Sequence, residues 1–145
     1  MTDSIQCLKE ILSSQSSIIF TYLFGSRVKG CANENSDWDI AVYFSEPLES
    51  IGLWPAFELE AKLSRAVGAT VQVAVLNNHL SPIFGFKIVS EGILLSDKNT
   101  EMRIDFENRV LRYYYDWQYF LKRQILAEKS VSPVRNRRDT VINTD

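Results

Sequence analysis

A single histidine, His79, stands in a chain of 145 residues, and that scarcity removes several chemistries at once. One imidazole cannot build a His-rich zinc site. A Ser-His-Asp or Cys-His centre would have to use His79 itself, and His79 lies in "LNNHLSP", a turn-like stretch that reads as surface. Cysteine is almost as scarce. Cys7 and Cys31 match no metal-ligand spacing, and one pair does not make a disulfide scaffold, so both read as reduced thiols of a cytoplasmic protein. No apolar run is long enough to span a bilayer. The opening "MTDSIQCLKE" carries Asp3 and no basic n-region, so no signal peptide is expected. A net charge of −2 gives no general electrostatic reason to expect direct nucleic-acid binding. Whatever chemistry the chain performs is left to its carboxylates.

What is present fits one ordinary domain. Apolar residues make up 46% of the sequence and charged residues 23%, within the range of soluble globular proteins, and the length allows one core rather than two. Ile5, Leu8, Ile11 and Leu12 recur at helical spacing in 4–15, with Asp3 or Ser4 placed to cap. "SIIFTYLF", 17–24, is β-branched and aromatic and predicts a buried strand; "WDIAVYF", 38–44, predicts a second, and "ATVQVAVL", 69–76, a third. Between the first two lies a loop or a turn with a short helix. A helix is expected from Leu53 to Val67, ended by Gly68, and a short one over Ile83–Ser90. "GILLS" offers an edge strand. The order predicts a small α/β or α+β domain, with helices packed on a small sheet.

The longest helical pattern covers 100–128. It carries Tyr113, Tyr114, Tyr115, Trp117, Tyr119 and Phe120, which wrap around the helix and cannot all face one core. Exposed Tyr and Trp are common interface anchors. The remaining "SVSPVRNRRDTVINTD" has few large apolar groups, so residues 130–145 read as a flexible polar tail behind a domain of 1–129.

The informative stretch is "YLFGSRVKGCANENSDWDIAVYF", Tyr22–Phe44. Alternate strand residues share a face, so Asp37 and Asp39 point the same way and Trp38 the other. Two adjacent carboxylates repel unless a cation lies between them. Mg²⁺ suits such a pair, because it takes oxygen ligands and recruits substrate phosphates. Upstream, Gly25 lets a phosphate approach the backbone and Ser26 adds a hydroxyl donor. A phosphate cradle facing a metal pair describes phosphoryl or nucleotidyl transfer. A turn glycine beside two exposed aspartates is the plainer alternative, but acidic residues are poor strand formers and here they lead directly into a core strand.

Gly25-Ser26, then residues 27–36, then Asp37-Trp38-Asp39 resembles the signature of the DNA polymerase β-like nucleotidyltransferase superfamily. "LFGSRVKGCANENSDWDIAV", with Gly30 and Ser36 in place, is similar to its minimal branch, the MNT or MntA proteins. "FENRVLRYYYDWQYFLKR", Phe106–Arg123, is similar to the C-terminal helix of MntA antitoxins. The resemblance implies a four-stranded mixed sheet with helices packed on it, and ATP and Mg²⁺ as substrate and cofactor. It also implies a HEPN-domain RNase toxin as partner, in a multi-subunit complex, with AMP transferred to a tyrosine hydroxyl of that toxin. On this chain it implies Asp37 and Asp39 as catalytic metal ligands, and Gly25, Ser26 and Ser36 as nucleotide-binding residues.

One departure stands out. The branch carries a third carboxylate in a V-D-[LV]-V-D-L stretch, and the matching segment here is "VQVAVL", Val71–Leu76. Gln72 occupies the acidic position and Val75 a second one. Val71, Val73 and Val75 share a face, which sends Gln72 to the other, toward the aspartates. An amide oxygen can ligate a cation, but it brings no charge and cannot take a proton. Glu58, Glu60 or a partner are the candidate sources of a replacement acid. Two alternatives therefore stay open: an antitoxin that neutralises its toxin by binding alone, and a small-molecule nucleotidyltransferase.

Overall fold

The computed structural model describes residues 2–144 except 31 and 34; the side chains of residues 2, 48, 51 and 130–144 lie outside the description. Helix α1 (Thr2–Ser14) is followed by β1 (Ile18–Phe24), the short helix α2 (Ser26–Lys29) and β2 (Trp38–Phe44). Then come α3 (Leu48–Ile51), α4 (Trp54–Val67), β3 (Val71–Val75), α5 (Pro82–Glu91), β4 (Ile93–Asp97) and α6 (Thr100–Thr144). The strands form one sheet in the order β3-β2-β1-β4. β1 runs antiparallel to both β2 and β4, while β2 and β3 are parallel, so the sheet is mixed, as the resemblance implies.

Residue alternation divides the core into two layers. Trp38, Ile40, Val42 and Phe44 of β2 pack with Leu8, Leu12, Leu59 and Leu63, so α1 and α4 cover one face. Phe20, Tyr22 and Ala41 pack with Ile88 and Phe106, with Tyr43, Phe84 and Val110 against them, so α5 and α6 cover the other. The β1 strand is buried along most of its length, because it is central and covered on both faces. Thr21, fully buried there, shares a hydrogen bond of 2.7 Å with Ser96 of β4, which satisfies both hydroxyls.

Local signals fix most element ends. Gly68 adopts φ 67° and returns its N–H to Ser64 O, closing α4 in the left-handed conformation that glycine permits. Ser81 caps α5 by accepting from the Phe84 N–H. The N-terminus of α1 departs from expectation: the helix starts at Thr2, so Asp3 lies in its first turn rather than at the cap, where its charge still favours the helix dipole. β3 is shorter than 69–76. Helix α3 was not anticipated, being a single turn with no hydrophobic period to reveal it.

Along α6, Phe106 is buried and Tyr114 stacks on Phe86 at 3.9 Å between ring centroids. Tyr113, Tyr115, Tyr119 and Phe120 are exposed. The aromatic cluster is thus split between packing and surface. Every described residue from Tyr119 to Lys129 is exposed, so the helix leaves the body of the domain after Gln118. The helical backbone continues to Thr144; the expected polar tail falls where side chains lie outside the description. Among the described residues, no helix is long and apolar enough to cross a membrane.

Candidate active site

β1 ends at Phe24, and its partner in register on β2 is Asp39. Gly25 follows with φ 83°, a conformation that only glycine adopts without strain. A Cβ at Gly25 would sit 2.3 Å from Asp39 Oδ2, so the turn backbone lies directly against the carboxylate. The Gly25 carbonyl then accepts from the Val28 and Lys29 N–H groups, starting α2 at Ser26. The Gly25 turn and Asp39 are thus in contact, and Ser26 opens the short helix beside them.

Asp37 and Asp39 emerge on the α5/α6 face of the sheet, since Trp38 and Ile40 are committed to the opposite core. The parallel pairing sets Asp39 directly opposite Gln72, and the Gln72 amide donates to Asp37 Oδ2 at 3.3 Å. Gln72 thus lies on the aspartate face of the sheet, as the alternation of β3 predicts. Burial pushes the Asp39 carboxyl above its usual range, the charge of Asp37 pushes it further, and Lys87 on α5 opposes both. Such a pair is short of positive charge.

Among the described residues, neither Glu58 nor Glu60 joins the cluster. Glu60 accepts from the Val73 N–H at 2.8 Å and Glu58 from the Trp54 indole, and both belong to α4, on the far face. Among the described residues no group of three acidic, His or Cys side chains could hold a metal. His79 lies beyond the C-terminal end of β3, with its ring against Tyr113 at 5.7 Å, at the opposite end of the sheet. Cys7 is a free, half-buried thiol, and Cys31 lies outside the described residues.

Ser36 is drawn into the turn before Asp37. Its hydroxyl accepts from the Asn33 N–H at 3.0 Å and its carbonyl accepts from Arg27 Nη2 at 2.8 Å. Arg27 also lies over the Trp38 ring, 4.2 Å from its centroid, an arrangement worth about 1 kcal/mol. Arg27 thus braces the segment that delivers Asp37. Sequence reasoning missed Arg27 and Lys87, because neither carries a local signal: their positions follow from α2 and α5 packing onto the sheet.

The fold is that of the polymerase β-like nucleotidyltransferases: a mixed sheet whose strand ends bring an aspartate pair against a Gly-Ser turn. The chain belongs to the Polymerase beta, Nucleotidyltransferase family, which matches residues 6–101. Among curated proteins it is similar to protein adenylyltransferase MntA of Shewanella oneidensis, 37% identical over 71 residues. That match spans 49% of this chain and 48% of MntA, about half of each. Among solved structures it is similar to a chain of a toxin–antitoxin complex with AMP-PNP, at 26% identity and TM-score 0.63, over 89% of this chain and 97% of that one. A complex of tri-AMPylated Shewanella oneidensis HEPN toxin with MNT antitoxin also matches, with TM-score 0.60 at 22% identity, over 88% of this chain and 98% of that one; at that identity the likeness concerns the fold.

Proposed function

We propose that this protein is an antitoxin that transfers AMP from ATP to a tyrosine hydroxyl of a HEPN RNase toxin. The observation that carries the reading is the contact of the Gly25 turn with Asp39, beside Asp37, on this family's fold. MntA of Shewanella oneidensis, to which the chain is similar, is a protein adenylyltransferase. The setting we propose is the cytoplasm, with the domain formed by 1–129 and the polar segment 130–145 outside it.

The residues present fit one hard cation. Asp37 and Asp39 share a strand face, and burial together with the charge of Asp37 raises the Asp39 carboxyl, a state that a bound cation relieves. They do not fit a second, since Gln72 brings no charge. Mg²⁺ held by Asp37 and Asp39 would neutralise charge on the nucleotide phosphates. Gly25 and Ser26 supply backbone space and a hydroxyl to the triphosphate, and the Ser36 turn holds Asp37 in place. The acceptor oxygen forms a bond to the α-phosphorus while the bond from that phosphorus to the bridging β-oxygen breaks, and pyrophosphate leaves. Gln72 cannot accept the hydroxyl proton, which passes instead to water or to a base of the partner. Positioning and charge neutralisation carry most of such a transfer. The exposed rings of Tyr115, Tyr119 and Phe120 offer the protein partner a surface on α6.

A second reading is favoured by one contact. The Gln72 amide already occupies Asp37 Oδ2, which suits an antitoxin that blocks its toxin by contact. Labelled ATP separates the two. With label on the α-phosphate, the toxin becomes labelled in the first reading and Asp39→Asn abolishes it. A neutralised but unlabelled toxin selects the second.

A further inference from the structure

Phe84, Lys87 and Glu91 follow one another on a single face of α5, at spacings of three and four residues. Two of them have contacts that fix where that face points. The Phe84 ring meets Phe24 edge-on at 5.6 Å between centroids, and Phe24 is the residue before the Gly25 turn. Glu91 pairs with Lys29 at 3.4 Å, and Lys29 is the last residue of α2. One end of this face therefore touches the start of the turn and the other touches the end of the short helix. Lys87 lies between them on that face of α5, which packs on the side of the sheet that carries Asp37 and Asp39. Its charge acts on Asp39.

The other nearby cations are engaged. Arg27 is held by Ser36 O and the Trp38 ring, and Lys29 is paired with Glu91. Lys87 is half-buried and forms no ion pair among the described residues. Once a divalent cation is bound by the carboxylate pair, a lysine near it is no longer needed to offset their charge. It has a use when an anion larger than that cation's charge occupies the site. A nucleotide triphosphate with one bound divalent cation remains negatively charged, and a lysine ammonium suits it as a point charge.

We propose that Lys87 binds the β- and γ-phosphates of the nucleotide, closing the phosphate site from the α5 side opposite the Gly25-Ser26 turn. This rests on the nucleotidyl-transfer reading of the site. In a site that holds one divalent cation, Lys87 supplies the additional positive charge against which pyrophosphate is released.

The test is a titration of the full chain with Mg²⁺ and α,β-methylene-ATP, whose α–β linkage cannot be transferred, and in parallel with AMP, which lacks the outer phosphates. Wild type, Lys87→Ala, Lys87→Arg and Asp39→Asn are compared, with circular dichroism to establish that each is folded. Lys87→Ala should weaken the triphosphate analogue about tenfold and leave AMP unchanged, and Lys87→Arg should recover most of the loss. Equal affinity of wild type and Lys87→Ala for the analogue, with Asp39→Asn impaired, overturns the role of Lys87 and leaves the site intact. Weakening of AMP by the same factor also overturns it, since the lysine would then act on something other than the outer phosphates. No binding of the analogue by any of the four proteins overturns the nucleotide site itself, and the inference with it.

Discussion

Gln72 stands directly opposite Asp39 in the parallel β2–β3 pair and donates its side-chain amide to Asp37 at 3.3 Å. A neutral amide therefore sits where a third carboxylate would complete the acidic cluster. In the proposed reaction the aspartate pair would keep the means to hold one cation against phosphate, while deprotonation of the acceptor would lose its nearest base.

Gln72→Asp should raise the rate of AMP transfer by about 100-fold at saturating Mg²⁺, the lower end of what a positioned base contributes. It should also lower the melting temperature in chelator, where three carboxylates crowd together, and Mg²⁺ should restore it. Steady-state rates and thermal melts with and without Mg²⁺ check both. An unchanged rate would mean that the hydroxyl proton leaves by another route.

Gly25→Ala should leave the protein folded but cost about 1–3 kcal/mol, because a φ of 83° strains any other residue. The added methyl lands 2.3 Å from Asp39 Oδ2 and displaces that carboxylate. Transfer should fall about 100-fold, the scale of a 1 Å misplacement in a site. A melting curve and a transfer assay on the same sample test it; a stable, fully active variant would remove the Gly25 turn from the site.

Asp39→Asn should abolish transfer and yet raise stability at neutral pH. Burial, then the charge of Asp37, lifts the Asp39 carboxyl above its ordinary value, with Lys87 partly opposing. A raised folded-state pKa favours folding below the unfolded value of about 3.9, and that contribution is lost as pH rises through the raised value. At neutral pH the ionised group opposes folding, and the amide removes the penalty. Denaturant titrations at pH 4 and pH 7 should show the variant's advantage growing with pH. Mg²⁺-dependent nucleotide binding should weaken on acidification at a higher pH than an ordinary carboxylate would give.

Arg103→Ala tests the support behind the site. Arg103 binds Asp97 of β4 at 2.7 Å and Glu107 at 3.1 Å, and Glu107 accepts the Tyr22 hydroxyl from β1. Burial raises the Tyr22 hydroxyl well above its usual range and Glu107 adds to that. Loss of the guanidinium from this half-buried network should cost about 2 kcal/mol. Burial alone would push the Asp97 carboxyl up, but hydrogen bonds from Arg103 and Thr100, and the Arg103 charge, hold it low. That stabilisation is present above about pH 3.9 and disappears as pH falls through the lowered folded value. The stability gap between wild type and variant should therefore close in acid, as measured by urea unfolding at pH 7 and pH 3.

Much of this was legible in the sequence because it is local. The Gly25 turn, the aspartates on one strand face and the facing of Gln72 all follow from spacing and two-residue alternation. The strand core and Gly68 were equally direct. Arg27 and Lys87 were not legible, because a cation on a helix acquires its role only when the helix docks on a particular sheet face. Glu60 shows the reverse case. It was one candidate replacement acid, but α4 packs on the far face and Glu60 instead satisfies the Val73 N–H on an edge strand. The aromatic residues of α6 could be divided into packed and exposed sets only once Phe86 and the end of the domain were placed.

The intact mass of a HEPN toxin, incubated with this protein, ATP and Mg²⁺, measures the proposed reaction most directly. Mass should rise in steps of one AMP, with no rise when Asp39→Asn replaces the wild type. An unchanged mass in the presence of a stable, neutralising complex would contradict transfer, and would leave the aspartate pair with a role in binding alone.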